Sequence, residues 1–234
     1  MMMSEGVVLG YFISADGIQV YPSKIRVIEN IPTPRTWKEV CSFLGNAGYY
    51  RRFIEKFSKL ASPLFSLLMK DVQFIWNEAC QTVFVKLKEK LSTTPILGGG
   101  DWALPFHISS NSSDTTIGAV LGQQAVQAPY AVYYISKNLA PTKLNYTITE
   151  KDFLAIVYSI QKFRHYITGY TTFVHTENSA IKYRMNKLVT NARITRWQLL
   201  LQEFGITIID RPGKENVVAD FLSCFTNSDD NLPV

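Results

Sequence analysis

No run of about eighteen apolar residues occurs in this 234-residue chain, so no stretch has the reach of a membrane-spanning helix. The opening MMMSEGVVLGYFIS turns strand-like too soon to read as a secretory signal with a cleavage site. Cysteine is scarce: Cys41, Cys80 and Cys224 are isolated and odd in number. That excludes a disulfide framework or a paired-cysteine metal site, and predicts buried thiols in a reducing compartment. No glycine-rich phosphate loop follows any predicted strand, which leaves a nucleotide-cofactor fold without an anchor. Nor does one charge dominate, since 24 Lys and Arg against 19 Asp and Glu give a net +5. This mild basicity favours a polyanionic partner without establishing one. The expectation is a soluble intracellular chain, with cytoplasm and nucleus undecided and no protein partner indicated.

What the chain does have is apolar material. With 47% hydrophobic and 13% aromatic residues, it can fill one large core or two modest ones. Val7 to Ser14 is expected as one strand, the turn Ala15-Asp16-Gly17 reverses it, and Ile18 to Tyr21 returns as its partner. Val8, Phe12, Ile18 and Val20 give this hairpin an apolar face with little chain before it to cover it. A short helix from Pro22 stops at Pro32 and Pro34. Thr36 and Glu39 have capping-box spacing ahead of the stripe Val40, Phe43, Leu44, Ala47, where Gly45 and Gly48 suggest a bend or a close helix contact. Further helices are expected over Ser62 to Leu68 and Asn77 to Leu91, the latter presenting Ala79, Val83, Leu87 and Leu91 inward. Gly98-Gly99-Gly100-Asp101 marks a domain boundary.

The second half is organised around Pro105 to Gln123, PFHISSNSSDTTIGAVLGQ. Phe106 and Ile108, then Ile117, Ala119 and Leu121, alternate with polar neighbours across an interruption at Asn111 to Asp114, as in a hairpin with one buried face. Ala131 to Ser136 is a third strand. A long helix follows, which Thr149 and Asp152 can cap, with Phe153, Ile156, Val157, Ile160 and Phe163 inward and Gly169 at its end. Thr171 to Thr176 and Ile206 to Ile209 are strands, with helices over Ser179 to Leu188, Arg193 to Glu203 and Val217 to Leu222. The fold class is α/β, a five-stranded mixed sheet with flanking helices, preceded by a small hairpin and a helical bundle.

Polar or acidic residues stand at four element boundaries: Asn111, Asp152, Glu177 and Asp220. Oxygen ligands that converge at one sheet edge are what Mg²⁺ needs, and two ions can activate water against a phosphodiester. The ordinary alternatives are a turn residue, a capping residue, a surface charge and a partner of the basic loop. Tyr49, Tyr50, Arg51 and Arg52 mix aromatics with arginine as a phosphate-gripping surface would. Arg193, Arg196 and the loop containing Arg211 and Lys214 add positive charge. The alternative there is core aromatics with solvated arginines.

Six segments, in order, resemble the Pol polyprotein of Ty3/gypsy-type retrotransposons: LGYFISADGIQVYPSKI, SFLGNAGYYRRFIEKFSKLASPL, FIWNEACQTVFVKLKEKLSTTPIL, TITEKDFLAIVYSIQKFRHYITG, TRWQLLLQEF and RPGKENVVADFLS. The resemblance implies that residues 1–21 are a hairpin from the end of a reverse transcriptase palm and 22–97 a thumb or connection region. It makes 101–225 a ribonuclease H-like domain and leaves 226–234 as a disordered tail. The polymerase fingers and paired palm aspartates have no counterpart, so no polymerisation is expected. The implied chemistry is Mg²⁺-dependent hydrolysis of RNA in an RNA/DNA hybrid. In the nuclease pattern the metal-bridging aspartate falls on Asn111, the helix glutamate on Asp152 and the strand aspartate on Glu177. Only Asp220 matches, so the tentative metal ligands are Asp152, Glu177 and Asp220. Asparagine is neutral and offers one carbonyl oxygen, so it cannot bridge two cations. Nuclease activity is therefore expected to be impaired, leaving residual single-metal hydrolysis or nucleic-acid binding without chemistry as the alternatives.

Overall fold

A computed structural model describes residues 5–70, 72–125, 128–185 and 192–210, with side chains described to 183 in the third stretch. The chain divides into two compact units, Met1–Gly99 with Tyr133–Asn138, and Gly100–Val132 with Leu139–Val234.

The first unit opens on a three-stranded antiparallel sheet, β1 (Gly6–Val8), β2 (Tyr11–Ser14) and β3 (Gly17–Val20). The expected single strand from Val7 to Ser14 is thus corrected to two, because Leu9 (φ 50°) and Gly10 (φ 79°) turn the chain left-handed. Two-residue turns with positive φ at both positions suit the twist of antiparallel strands. Hydroxyls hold the turn: Tyr49 donates to the Leu9 carbonyl at 2.5 Å and Tyr50 to that of Gly10 at 3.3 Å. Val7, Val8 and Leu9 remain exposed, whereas Val20 is buried.

Helix α1 (Pro22–Glu29) is followed by α2 (Trp37–Tyr49), where Thr36 Oγ1 accepts the Glu39 N–H at 3.3 Å. The capping box is incomplete, since Glu39 instead accepts from the Arg35 N–H. Val40, Phe43, Leu44 and Ala47 are buried as expected, but Gly45 and Gly48 have open space around them and mark no close contact. Cys41 also departs from expectation: lying off that stripe, it is exposed, whereas Cys80 is buried. Short helices α3 (Phe57–Leu60) and α4 (Ser62–Ser66) lead to α5 (Glu78–Ser92), capped by Asn77. Its inner stripe is Cys80, Phe84, Leu87 and Leu91, not one through Ala79 and Val83. The bulkier Phe84 meets Phe43 at 4.6 Å between ring centroids, and the large ring takes the core position in place of the small alanine.

Near the end of α2, Tyr11 stacks on Tyr49 at 5.3 Å and meets the edge of Tyr50. Burial first, then the neighbouring Tyr49, push the Tyr11 phenol up to about 12, while Arg52 opposes the rise. Burial and then Glu55 raise Tyr134 as well. An unfolded tyrosine ionises near about 10, so the stability gained by keeping Tyr11 neutral is fully present below that pH. It is lost as pH rises from there through about 12. An alkaline titration of phenolate absorbance should show late-ionising tyrosines, with one late step lost in Tyr11→Phe. An unchanged late fraction in that variant would contradict the assignment.

The second unit carries the five-stranded sheet, built from β4 (Phe106–Ser112), β5 (Thr116–Gln124), β6 (Pro129–Asn138), β7 (Thr172–Thr176) and β8 (Ile206–Asp210) in the order β6-β5-β4-β7-β8. The division assigns the last six residues of β6 to the first unit. β4 pairs antiparallel with β5 and parallel with β7, which is parallel to β8. Gly122 sits where a Cβ would come within 2.8 Å of the Tyr130 carbonyl oxygen. After α6 (Pro141–Leu144), helix α7 (Ile148–Ile167) buries Phe153, Ile156, Val157, Ile160 and Phe163. Its cap is Thr147 with Glu150, a complete capping box, one turn-start earlier than the expected Thr149 and Asp152. Asp152 therefore lies beyond the first turn with its carboxylate free of capping. Helices α8 (Ser179–Met185) and α9 (Ala192–Gln202) precede β8. No described helix is long and apolar enough to cross a membrane. The expected last helix, the tail and Cys224 lie outside the described residues.

Candidate functional site

Asn111 is the residue the nuclease pattern makes central, and it belongs to β4 itself, paired with Gly118, rather than to the turn. The next residue, Ser112, pairs with Ile117, whose side chain clusters with Leu154 and Ala155 of α7. Residues directly opposite each other in a sheet share a face, and successive residues alternate. Ser112 therefore faces α7, while Asn111 points from the other face and is exposed.

Asp152 meets this end of the sheet through residues one place off the expected set. Ser112 Oγ donates to Asp152 Oδ1 at 2.5 Å, and Asn178 Nδ2 donates to Oδ2 at 2.9 Å. Asn178 itself is anchored, because its Oδ1 accepts the Ala180 N–H at 3.1 Å at the start of α8. Glu177 follows the last residue of β7 and is exposed. Lys151, only 6% exposed, donates to the Asp114 carbonyl at 3.0 Å, with the carboxylate 3.7 Å away and fully open to water. The structure thus joins Asp152 to Ser112 and Asn178, and does not join it to Asn111 or Glu177. Asp220 lies outside the described residues. Among the described residues there is no group of three or more His, Cys, Asp or Glu that could hold a metal ion. In this arrangement the two Asp152 oxygens each accept from a neutral donor, Ser112 and Asn178.

The phosphate-gripping candidates divide in the same way. Tyr50 is buried at 4% exposure, and Tyr49 is half exposed. Arg51 donates to the Ser136 carbonyl at 3.4 Å, and the Arg52 guanidinium lies 4.2 Å from the Tyr133 ring centroid and 5.7 Å from that of Tyr11. Cation–π contact of this kind holds the planar group against the rings. Arg193 bridges Glu150 at 3.2 Å and lies over Tyr146, while Arg196 is exposed. Arg211 and Lys214 lie outside the described residues.

Residues 101–204 match the RNase H-like domain found in reverse transcriptase. The chain is 36% identical over 227 residues to the retrovirus-related Pol polyprotein from transposon opus of Drosophila melanogaster, a match covering 92% of the chain and 23% of that protein. It is 32% identical over 230 residues to the transposon Tf2-3 polyprotein of Schizosaccharomyces pombe, covering 96% of the chain and 17% of the relative. The chain is similar along its length to retrotransposon Pol polyproteins of the Ty3/gypsy type, and its residues 101–204 are an RNase H-like domain of the reverse transcriptase kind. It spans roughly a fifth of the length of these Pol relatives. Two solved structures share its fold. The foamy viral protease-reverse transcriptase in complex with double-stranded DNA gives a TM-score of 0.77 at 23% identity, over 90% of this chain and 38% of that one. The same viral protein with an RNA/DNA hybrid gives 0.76 at 22%, over 92% and 30%. The chain therefore carries an RNase H-like fold of reverse transcriptase lineage, in a family whose fold is generally Mg²⁺-dependent.

Reading the sequence by its nuclease pattern missed Ser112, Asn178 and Lys151. The signal for Ser112 was the alternation itself: with Phe106 and Ile108 buried, position 112 shares their face and 111 does not. Asn178 had the weaker signal of an asparagine placed to cap the following helix.

Proposed function

We propose that this chain is an RNase H-like protein that binds RNA/DNA hybrids and cuts the RNA strand weakly or not at all. One observation carries this reading: position 111 holds a neutral amide where the family pattern has its metal-bridging aspartate. Loss of a bridging charge costs about 3 kcal/mol of transition-state stabilisation, roughly a hundredfold in rate. The partner class is supported by the shared fold, since the viral relative has been solved with both duplex DNA and hybrid. Of the residues the pattern offers to phosphate, Tyr49, Arg193 and Arg196 are exposed, whereas Tyr50 is buried and Arg51 and Arg52 are engaged within the fold; Arg211 and Lys214 enter from the sequence alone. The division of the chain at Gly99 and Gly100 supports a boundary ahead of the nuclease-like domain at 101–225; the palm hairpin at 1–21, the thumb or connection region at 22–97 and the tail at 226–234 are proposed from the resemblance alone.

A second reading is favoured by Asp220, the one acid that matches the pattern. In it Asp152, Glu177 and Asp220 hold a single Mg²⁺ and hydrolyse slowly. Fluorescence anisotropy with a labelled hybrid separates binding from its absence: affinity should fall steeply with added salt as phosphate contacts release counterions. Salt-independent or undetectable binding would overturn the main reading. Cleavage by Asn111→Asp, assayed beside the native chain, separates the two readings. A sharp rise above the native rate supports the single-metal site, and no change supports loss of the centre.

A further inference from the structure

We infer that Ser112, Asp152 and Asn178 form a metal-independent lock, tying the carboxyl ends of β4 and β7 to α7 through hydrogen bonds at the place where the fold family holds metal ions. This rests on the reading that the two-ion centre is lost, and adds what has replaced it. Asp152 is partly buried, and each of its oxygens accepts from a different strand end. Hydrogen bonds to an ionised acceptor are short and about twice as strong as neutral ones.

The Asn178 amide cannot be turned over without loss. Its oxygen is already taken by the Ala180 N–H, and its backbone N–H donates to Thr176 Oγ1 at 3.2 Å. Reversal would set that oxygen against a carboxylate and leave the start of α8 uncapped. The orientation that caps the helix is therefore the one that delivers a donor to Asp152. Both donors are neutral, so they satisfy the acid without adding charge, whereas the family pattern places acids around it. A cation at Asp152 would have to share its two oxygens with these donors. Lys151 adds a positive charge at the neighbouring hairpin turn and disfavours a cation there further.

Thermal melting of the full chain, in chelator and in millimolar Mg²⁺, tests this. The native chain should melt at the same temperature in both. Ser112→Ala should lower Tm by about 5 °C in both, from the loss of one hydrogen bond to a charged acceptor. In an Asp152→Ala background the same change should lower Tm no further, because its partner is gone. Asn178→Asp keeps the oxygen that caps α8 but replaces the donor with a second carboxylate. That variant should melt about 5 °C lower in chelator and recover in Mg²⁺. A rise in the native Tm with Mg²⁺, an undiminished Ser112→Ala effect without Asp152, or an Asn178→Asp chain indifferent to Mg²⁺ would each overturn the lock. Should Asp152→Ala fail to fold, the Asn178→Asp comparison still decides. The melts do not report cleavage, so an active nuclease with a metal-indifferent Tm would sink the proposed function alone, and an inactive chain stabilised by Mg²⁺ would sink the lock alone.

Discussion

Gly17→Ala should lower Tm by roughly 10 °C, a loss of about 4 kcal/mol, as measured by the circular dichroism melt. Gly17 adopts φ +134°, and a Cβ there would lie 2.2 Å from the Leu97 carbonyl oxygen. That oxygen is fixed, because Ile18 and Leu97 exchange backbone hydrogen bonds of 2.8 and 2.9 Å. The carbonyl cannot withdraw without breaking this bridge, which ties β3 to the segment after α5. Gly45→Ala is the control. It lies in α2 with nothing near its Cβ direction, and there alanine should be neutral or stabilise by about 0.5–1 kcal/mol. Equal effects at the two positions would show that the Gly17 contact does not constrain the fold.

Phe153→Ala should cost about 3–5 kcal/mol, the range for emptying a large aromatic site in a packed core. Phe153 is 1% exposed and stacks on Trp197 of α9, with centroids 5.6 Å apart and planes 19° from parallel. Its loss removes the ring against which α9 rests, so the fall in Tm should come with a change in tryptophan emission. Phe153→Leu, which keeps most of the volume, should cost less than half as much. The residue adjoins Asp152, so loosening here also disturbs the Ser112 and Asn178 contacts. A Phe153→Ala chain with native stability would show that the α7–α9 packing is incidental.

Much of this was legible because burial leaves a period in the sequence. The stripe Val40, Phe43, Leu44, Ala47 and the face Phe153, Ile156, Val157, Ile160, Phe163 are buried as their spacing requires. Positions decided by backbone conformation were less legible. Leu9 and Gly10 break a nearly continuous apolar run that reads as one strand, and no apolar pattern announces a two-residue turn inside it. Thr147 and Thr149 both offer a capping hydroxyl with an acid three residues on, and only the path of the preceding chain selects the first. In α5 the stripe was misplaced because Ala79, Val83, Leu87 and Leu91 keep helical spacing as well as the true set does. Side-chain volume, not period, decides between them. At the candidate site, aligning residues to the nuclease pattern identified the position of the change, Asn111, but not its consequence. That consequence lies in tertiary contacts from Ser112 and Asn178, each one residue from the position the pattern names.

This chain is expected to hold a hybrid and to cut its RNA strand weakly or not at all. The most direct test is to incubate the purified chain with a labelled RNA/DNA hybrid in Mg²⁺, confirm the complex, and size the RNA strand recovered from it. The RNA should be almost entirely full length and little different from a sample kept in chelator. Extensive shortening that appears with Mg²⁺ and disappears in Asp220→Ala would contradict the account.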